Sequence, residues 1–190
     1  MSRLITKEYI EENPEILEKI KKSIFVYPTD TIYGIGCDAT NEELVARVRE
    51  IKQREKVPFS VIVPSKKIII KNCVLSAKAR EWVAKLPGPY TLILPVKKPF
   101  VAKNVSFDGK TIGIRMINSW FQEIITEFGF PVITTSVNFH AKPFMTSIKD
   151  IDKDIKKEVD FIIDDGDLNA RPSQLVNLLE EQPEENKEQF

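Results

Sequence analysis

Short apolar runs alternate along the chain with segments whose apolar residues recur at helical spacing, and this alternation limits the possible folds most. The apolar runs end at Pro, Gly or polar residues, as the strands of a sheet do. They predict strands at residues 24–27, 59–63, 90–96, 111–117, 131–136, 161–163 and 175–178. Helices are predicted at residues 6–22, with a break at Asn13-Pro14, and at residues 41–55, 76–86 and 119–128. Because this order lacks strict βαβ regularity, we expect an α/β fold with a twisted, open, mixed β-sheet and flanking helices.

The length of the chain favours one domain. It has 190 residues, of which 42% are hydrophobic, enough for one core. Residues 180–190 are rich in Glu, Gln, Asn and Lys and predict a mobile acidic tail. We therefore expect one domain at residues 1–179, followed by the tail at residues 180–190.

Cysteine and histidine are too few for several common kinds of site. The chain has two cysteines, Cys37 and Cys73, and one histidine, His140. A Cys/His zinc site takes about four such ligands, so no metal-ligating residues are predicted. Catalysis by a Ser-His or Cys-His pair would have to use His140. Its position in a polar loop pattern argues against such a role. Both cysteines are predicted to be small buried apolar residues.

Nothing in the sequence suggests a membrane protein. The apolar runs are far shorter than the roughly 18 residues of a membrane-spanning helix. The first residues resemble no cleavable signal and lead into an acidic helical segment. We therefore expect no membrane partner and a cytoplasmic location.

The charged residues are segregated along the chain, although the net charge is zero. Residues 42–115 contain 16 basic and 6 acidic residues, whereas residues 150–190 contain 5 basic and 13 acidic residues. A basic middle segment could attract phosphates or an RNA backbone. Two merely solvated surfaces would give the same pattern, and both interpretations stay open.

The chain contains neither a G-x-x-x-x-G-K-[ST] phosphate loop nor a G-x-G-x-x-G turn. Residues 28–34 instead read P-T-D-T-I-Y-G and follow a predicted strand. Glycine there permits a close approach of the backbone to a ligand. A polar turn in which Asp30 and the threonines bond the local backbone is the alternative.

Two further segments place cations where anions could bind. Lys52 and Arg54 end a predicted helix, where they could clamp a polyphosphate or simply complement the helix dipole. Arg115 lies in a strand of apolar and small residues, T-I-G-I-R, after an earlier P-G-P-Y-T segment. A buried arginine needs a partner, which could be a structural carboxylate or the carboxylate of a substrate.

The predicted strand at residues 131–136 delivers polar side chains at its carboxyl end, where ligands often bind in open α/β sheets. Ser136 and Asn138 alternate, so they face the same side if the chain is extended. They could contact phosphate, ribose or a base. A turn that closes the strand is the alternative.

Together and in this order, these motifs resemble the threonylcarbamoyl-AMP synthase (YrdC-like) family. Its members typically show P-T-D/E-T-x-Y-G, K-x-R, P-G-P-x-T, a G-x-R strand and S-x-N. This chain has all five between Pro28 and Asn138. It departs from the family pattern in Glu55, which follows K-x-R, in His140-Ala141 after S-x-N, and in the sequence S-Q-L-V-N at residues 173–177.

The resemblance implies a twisted open sheet with a concave basic face, and a nucleotidyltransferase that joins L-threonine, bicarbonate and ATP into threonylcarbamoyl-AMP and pyrophosphate. A downstream complex would then transfer the threonylcarbamoyl group to tRNA. It also implies the site residues. Catalytic roles fall on Lys52, Arg54 and Arg115, threonine binding on Thr31, Arg115 and Ser173, and ATP binding on Lys52, Arg54, Thr111, Ser136, Asn138 and Thr146.

The implied chemistry needs no protein nucleophile, because the carbamate of threonine attacks the α-phosphorus. Catalysis would rest on positioning and charge neutralisation. Mg²⁺ is expected with ATP and would be held mainly by phosphate oxygens. The alternative is a non-catalytic protein that binds tRNA or rRNA on the same basic face; a different small-molecule enzyme on a similar sheet is a weaker alternative.

Overall fold

The computed structural model describes residues 2–138, 144–168 and 170–179. Its strands form one nine-stranded sheet in the order β1-β8-β2-β3-β7-β4-β6-β5-β9. The strands are β1 Arg3–Thr6, β2 Phe25–Tyr27, β3 Gly34–Gly36, β4 Ser60–Ile62, β5 Tyr90–Pro95, β6 Thr111–Arg115, β7 Val132–Ser136, β8 Phe161–Asp164 and β9 Gln174–Asn177.

The sheet is mixed. Strands β1, β8 and β2 are parallel, as are the pairs β4–β6 and β5–β9, whereas the pairs β2–β3, β3–β7, β4–β7 and β5–β6 are antiparallel. The described residues thus form an α/β domain with an open mixed sheet and flanking helices, as predicted.

The helices begin and end where local hydrogen bonding dictates. They are α1 Lys7–Glu12, α2 Leu17–Ile20, α3 Glu42–Lys52, α4 Lys66–Asn72, α5 Ala77–Ala84, α6 Phe121–Phe128 and α7 Lys153–Glu158, with 3₁₀ turns at Pro14–Ile16 and Ile148–Asp150. The Asn41 side chain caps α3 by accepting from the amides of Glu43 and Leu44, both at 3.1 Å. Helix α6 ends at Gly129, whose φ of 77° suits glycine.

The helices cover the sheet in two layers. On one face, α3, α4, α5 and α7 pack over the larger apolar cluster, which includes Val48 and Val61. On the other face, α1, α2 and α6 cover a second cluster built around Phe25, Tyr27 and Phe121. The rings of Tyr27 and Phe121 stack with centroids 5.0 Å apart.

Most predicted elements are confirmed, with shifts of a few residues at their ends. Four of the helices and strands were not predicted as they form: β1, the short strand β3, α7, and α4, which contains the apolar run Ile68-Ile69-Ile70. The 180–190 tail and His140 lie outside the described residues. Cys37 and Cys73 are buried, as predicted. Among the residues described, none of the helices has the length and apolar character needed to cross a bilayer.

Candidate functional site

A cleft of about 430 Å³ opens where the second helix layer ends. The apolar cluster under that layer reaches Ile62 on β4 and Val132 on β7. Ser60, two residues before Ile62, and Thr134, two residues after Val132, lie next to each other on the same face, because β4 and β7 are antiparallel. The cleft is lined by Thr29, Ile32, Tyr33, Gly34, Arg54, Ser60, Thr91, Arg115, Thr134, Thr135, Ser136, Pro172, Ser173 and Leu175.

Strand register sets the floor of the cleft. Ser60 pairs with Gly113 on β6 and with Thr134 on β7. A Cβ on Gly113 would lie 2.4 Å from Ser60 Oγ and 3.3 Å from Thr91 Cγ2. Glycine at position 113 therefore keeps the floor open, because any other side chain would displace the hydroxyl groups around it.

Arg115, at the end of β6, is buried and lines the cleft. Its Nη2 donates to Asp30 Oδ1 at 2.9 Å and to Thr31 Oγ1 at 3.2 Å. Asp30 Oδ2 accepts from the backbone amide of Asn118 at 3.1 Å. Burial lowers the pKa of Arg115, and the charge of Asp30 opposes that shift. A structural carboxylate therefore already partners this arginine.

The remaining donors of Arg115 decide what else it can bind. Each terminal nitrogen of a guanidinium carries two hydrogens, and those of Nη2 already have two acceptors in Asp30 and Thr31. Nε is buried and has no hydrogen-bond partner among the described residues. A ligand carboxylate could therefore be held by two bonds only if Nη2 released one of its two acceptors, Asp30 or Thr31.

Thr31 is almost fully buried behind the lining rather than in it. Its hydroxyl lies 2.9 Å from that of Thr29, which donates to the carbonyl of Ile32 at 2.7 Å. The local hydrogen bonds of a polar turn are thus present, and the same segment also contacts an arginine that lines the cleft. The hydroxyls of Thr29 and Thr31 bond each other, and the Thr31 hydroxyl accepts from Arg115.

Lys52 is the last residue of α3 and is 2% exposed, beneath the cleft rather than in its lining. Its Nζ donates to the backbone carbonyls of Ser136 and Asn138, and to Asn138 Oδ1 at 3.0 Å. Burial, reinforced by the charge of Arg54, lowers the pKa of Lys52 to about 7. The three hydrogens of the ammonium thus have three acceptors at the end of β7.

Arg54 reaches the cleft because the chain turns sharply after α3. Gln53 adopts a left-handed conformation with φ of 51°, which is uncommon for a residue other than glycine. Arg54 then lines the cleft, and its Nη1 donates to Thr135 Oγ1 at 3.3 Å. Burial lowers its pKa, and its Nε has no partner among the described residues. The guanidinium therefore retains donors for an anion.

Two other predicted residues meet at the cleft. Ser136 lines the cleft, and its hydroxyl donates to Asn138 Oδ1 at 2.6 Å. Ser173, just before β9, also lines the cleft, and its hydroxyl lies 2.7 Å from that of Thr91. The lining thus contains residues of β5, β7 and β9.

Thr111 and Thr146 are not brought to the cleft lining. Thr111 begins β6, lines a separate cavity of about 270 Å³, and donates from Oγ1 to Asp108 Oδ2 at 3.1 Å. It shares a face of β6 with Gly113 but lies two residues further from Arg115. Thr146 is partly exposed, and its carbonyl accepts from the amide of Leu168 at 2.8 Å.

Several lining residues were not singled out individually from the sequence. Ser60 gave a weak signal, as a polar residue within an apolar run, and its role became visible only through its register with Gly113. Tyr33 lies in the P-T-D-T-I-Y-G segment; its hydroxyl donates to the carbonyl of Gly166 at 2.7 Å and accepts from the amide of Asp165 at 2.9 Å. Tyr33 thus connects the cleft to the acidic segment after β8.

Among the residues that the structure describes, none that lines the cleft is Asp or Glu. Across the part of the chain that the structure describes, no group of three or more His, Cys, Asp or Glu residues is placed to hold a metal ion. The cleft thus offers hydroxyls and guanidinium groups, a donor set that suits anionic ligands.

Comparison with known proteins identifies relatives of the whole described fold. The sequence model of the Sua5_yciO_yrdC family, described as "Telomere recombination", matches residues 18–187. A Methanocaldococcus jannaschii protein, provisionally named a threonylcarbamoyl-AMP synthase, is 38% identical over 177 residues, covering 88% of this chain and 83% of its own. The threonylcarbamoyl-AMP synthase of Idiomarina loihiensis is 28% identical over 173 residues, covering 86% of this chain and 91% of its own.

Solved structures share the fold. P. abyssi Sua5, solved in complex with L-threonine, superposes with a TM-score of 0.82 at 25% identity and covers 95% of this chain. The present chain spans only 55% of that protein. E. coli YciO superposes with a TM-score of 0.78 at 26% identity, covering 96% of this chain and 93% of its own.

Proposed function

The chain belongs to the Sua5/YciO/YrdC family, and we propose that it is a cytoplasmic threonylcarbamoyl-AMP synthase. In this proposal L-threonine, bicarbonate and ATP are its substrates, and threonylcarbamoyl-AMP and pyrophosphate are its products. Relatives with that name, and a Sua5 structure that holds L-threonine, support the assignment. A separate transfer complex would pass the threonylcarbamoyl group to tRNA.

One observation carries the proposal most directly. Two guanidinium groups line the same cleft, and they differ in how far they are already paired. The Arg115 guanidinium donates to Asp30 and Thr31, whereas the Arg54 guanidinium donates only to the hydroxyl of Thr135 among the described residues. We assign Arg115 to the carboxylate of threonine and Arg54 to the phosphates of ATP, because the less neutralised cation suits the more highly charged ligand.

The reaction can proceed with these groups and no protein nucleophile. The amine nitrogen of threonine bonds to the carbon of bicarbonate with loss of water, which gives a carbamate. A carbamate oxygen then attacks the α-phosphorus, and the bond from that phosphorus to the bridging oxygen breaks. Pyrophosphate leaves with the electron pair of that bond. Arg54 would neutralise charge on the phosphates, and Arg115 would hold threonine in line.

Lys52 has a role in this proposal only if it exchanges a partner. It would give up Asn138 Oδ1 for a phosphate oxygen and keep its two backbone carbonyls. The hydroxyl of Ser136, which lies beside the same oxygen, would follow towards the nucleotide. Mg²⁺ would be held mainly by phosphate oxygens and water, since no carboxylate lines the cleft in the described part of the chain.

Isothermal titration calorimetry tests the substrate assignment. We expect L-threonine and ATP each to bind at one site, and each to bind more tightly in the presence of the other. Serine should bind less tightly than threonine, because it lacks the methyl group. A protein that binds RNA with a steep salt dependence and neither small molecule would instead favour the non-catalytic RNA-binding alternative.

A further inference from the structure

Arg49 is a buried cation on the inner side of α3, and it is 8% exposed. Its Nε donates to the carbonyl of Asn104 at 2.7 Å, and its Nη2 donates to that of Val105 at 3.1 Å. Its Nη1 donates to the carbonyls of Arg54 at 3.1 Å and Val57 at 2.8 Å. Among the residues that the structure describes, all four acceptors are backbone carbonyls, although a buried charge usually has a carboxylate partner.

Two aromatic rings flank the same guanidinium. Its central carbon lies 4.3 Å from the ring centroid of Phe59 and 4.3 Å from that of Phe107. Stacking on rings and a planar fork of donors both require arginine, because a lysine ammonium cannot supply either. Arg49 therefore holds two loops in place: residues 53–57, which follow α3, and residues 104–107.

The first of these loops carries Arg54. Arg49 bonds both the amide and the carbonyl of Arg54, one through its backbone and the other through its side chain. The amide of Arg54 donates to the carbonyl of Arg49 at 3.0 Å, while the Arg49 side chain donates to the carbonyl of Arg54. Gln53, between Lys52 and Arg54, is in the left-handed region. Such a turn persists only where surrounding contacts fix it: backbone bonds to the carbonyls of Arg49 and Glu50 close it, and the Arg49 side chain holds the peptide that follows.

We infer that Arg49 is a positioning residue for the nucleotide: it fixes the loop that aims Arg54 into the cleft and does not itself line the cleft. This inference rests on the proposed ATP-binding role of Arg54. Arg49 would affect ATP through Arg54 alone and would leave threonine, which we assign to Arg115, unaffected.

The test compares Arg49→Met and Arg49→Lys with Arg47→Met, a control on the same helix whose half-exposed side chain lies 3.5 Å from Glu158. We expect Arg49→Met to weaken ATP binding by about tenfold to a hundredfold in calorimetry, because small misplacements have effects of that size. The ATP affinity of Arg49→Lys should lie between those of wild type and Arg49→Met. The affinity for L-threonine should be unchanged in every variant. Unchanged ATP affinity in a folded Arg49→Met protein would overturn the inference.

A second arm asks whether Arg49 acts through Arg54. In an Arg54→Met background, adding Arg49→Met should weaken ATP binding no further, because the positioned group is already gone. An additive loss would show that Arg49 contributes by another route and would contradict the inference.

Hydrogen exchange separates this inference from the proposed function. Exchange at residues 53–57 should rise in Arg49→Met and Arg49→Lys and stay at the wild-type level in Arg47→Met. If the wild-type protein binds no ATP, the proposed function fails, and the exchange result alone decides whether Arg49 fixes the loop. Unchanged exchange in both Arg49 variants would overturn the inference even if ATP binds.

Discussion

Arg115 and Lys52 are both buried cations, yet their surroundings stabilise the two charges differently. Arg115 has the carboxylate of Asp30, whereas the acceptors described for Lys52 are carbonyl oxygens and a side-chain amide. Burial lowers the pKa of both, but only at Arg115 does a neighbouring anion oppose the shift. Substitutions at the two sites should therefore have distinct consequences.

At Arg115 we predict that stability and ligand binding can be separated. Arg115→Met leaves the Asp30 carboxylate buried without its cation and should lower the free energy of unfolding by about 3–5 kcal/mol. Arg115→Met with Asp30→Asn should recover most of that loss, because no buried charge remains. Neither protein should bind L-threonine with wild-type affinity. Urea unfolding and calorimetry measure the two effects, and full threonine affinity in the double variant would remove the carboxylate role.

At Lys52 we predict a dependence of stability on pH. Its folded-state pKa of about 7 lies below the ordinary lysine value of 10.5, so between these two pH values the unfolded chain binds more protons. The contribution of Lys52 to the free energy of unfolding should therefore rise as pH increases from about 7 to about 10. We expect the free energy of unfolding, measured with urea across this pH range, to rise less steeply with pH, or to fall more steeply, in Lys52→Met than in wild type. Parallel curves would contradict the pKa shift.

At the scale of single elements, the ends of α3 and α6 form a natural comparison. Both helices are followed by a residue in the left-handed region, Gln53 after α3 and Gly129 after α6. Glycine adopts this region freely, whereas other residues adopt it at a cost of about 1–2 kcal/mol. The less favourable residue thus occurs at the cap that leads into the cleft.

We predict that reciprocal substitutions at these caps change stability in opposite directions. Gly129→Ala should lower the free energy of unfolding by about 1 kcal/mol, because a Cβ there meets no atom within 4 Å and the effect is backbone strain alone. Gln53→Gly should raise it by roughly 0.5 kcal/mol, since relief of strain exceeds the entropy lost by glycine. Changes of the same sign, measured by thermal unfolding, would show that contacts rather than backbone strain govern the two caps.

The elements that sequence patterns predicted are those whose apolar residues repeat over a long enough run. Helix α3 combines helical periodicity with an Asn41 cap, so its start was predicted to within one residue. Strand β3 contains only Gly34, Ile35 and Gly36, and its glycines gave no strand signal. A Cβ on Gly36 would lie 2.4 Å from the carbonyl oxygen of Ile133, so close strand contact rather than propensity selects this residue.

At the scale of the whole molecule, the sheet assembles the cleft from segments far apart in sequence. The motif residues Arg54, Arg115, Ser136 and Ser173 could be chosen from the chain, and the structure brings all four to one lining. Strand register could not be predicted, and it places Thr111 at a separate cavity while bringing Ser60 to the floor. Local motifs thus identified much of the lining. The pairing of strands far apart in sequence determined whether other residues, such as Thr111 and Ser60, lie at the cleft.

Pyrophosphate release from ATP, with Mg²⁺ and bicarbonate present and with or without L-threonine, tests the proposed function most directly. We predict release that depends on both threonine and bicarbonate, with wild-type rates in the Arg47→Met control. The same assay with Arg54→Met should show a large loss. Release that is independent of threonine, or no release from a protein that binds both substrates, would contradict the assignment of this cleft as a threonylcarbamoyl-AMP synthase site.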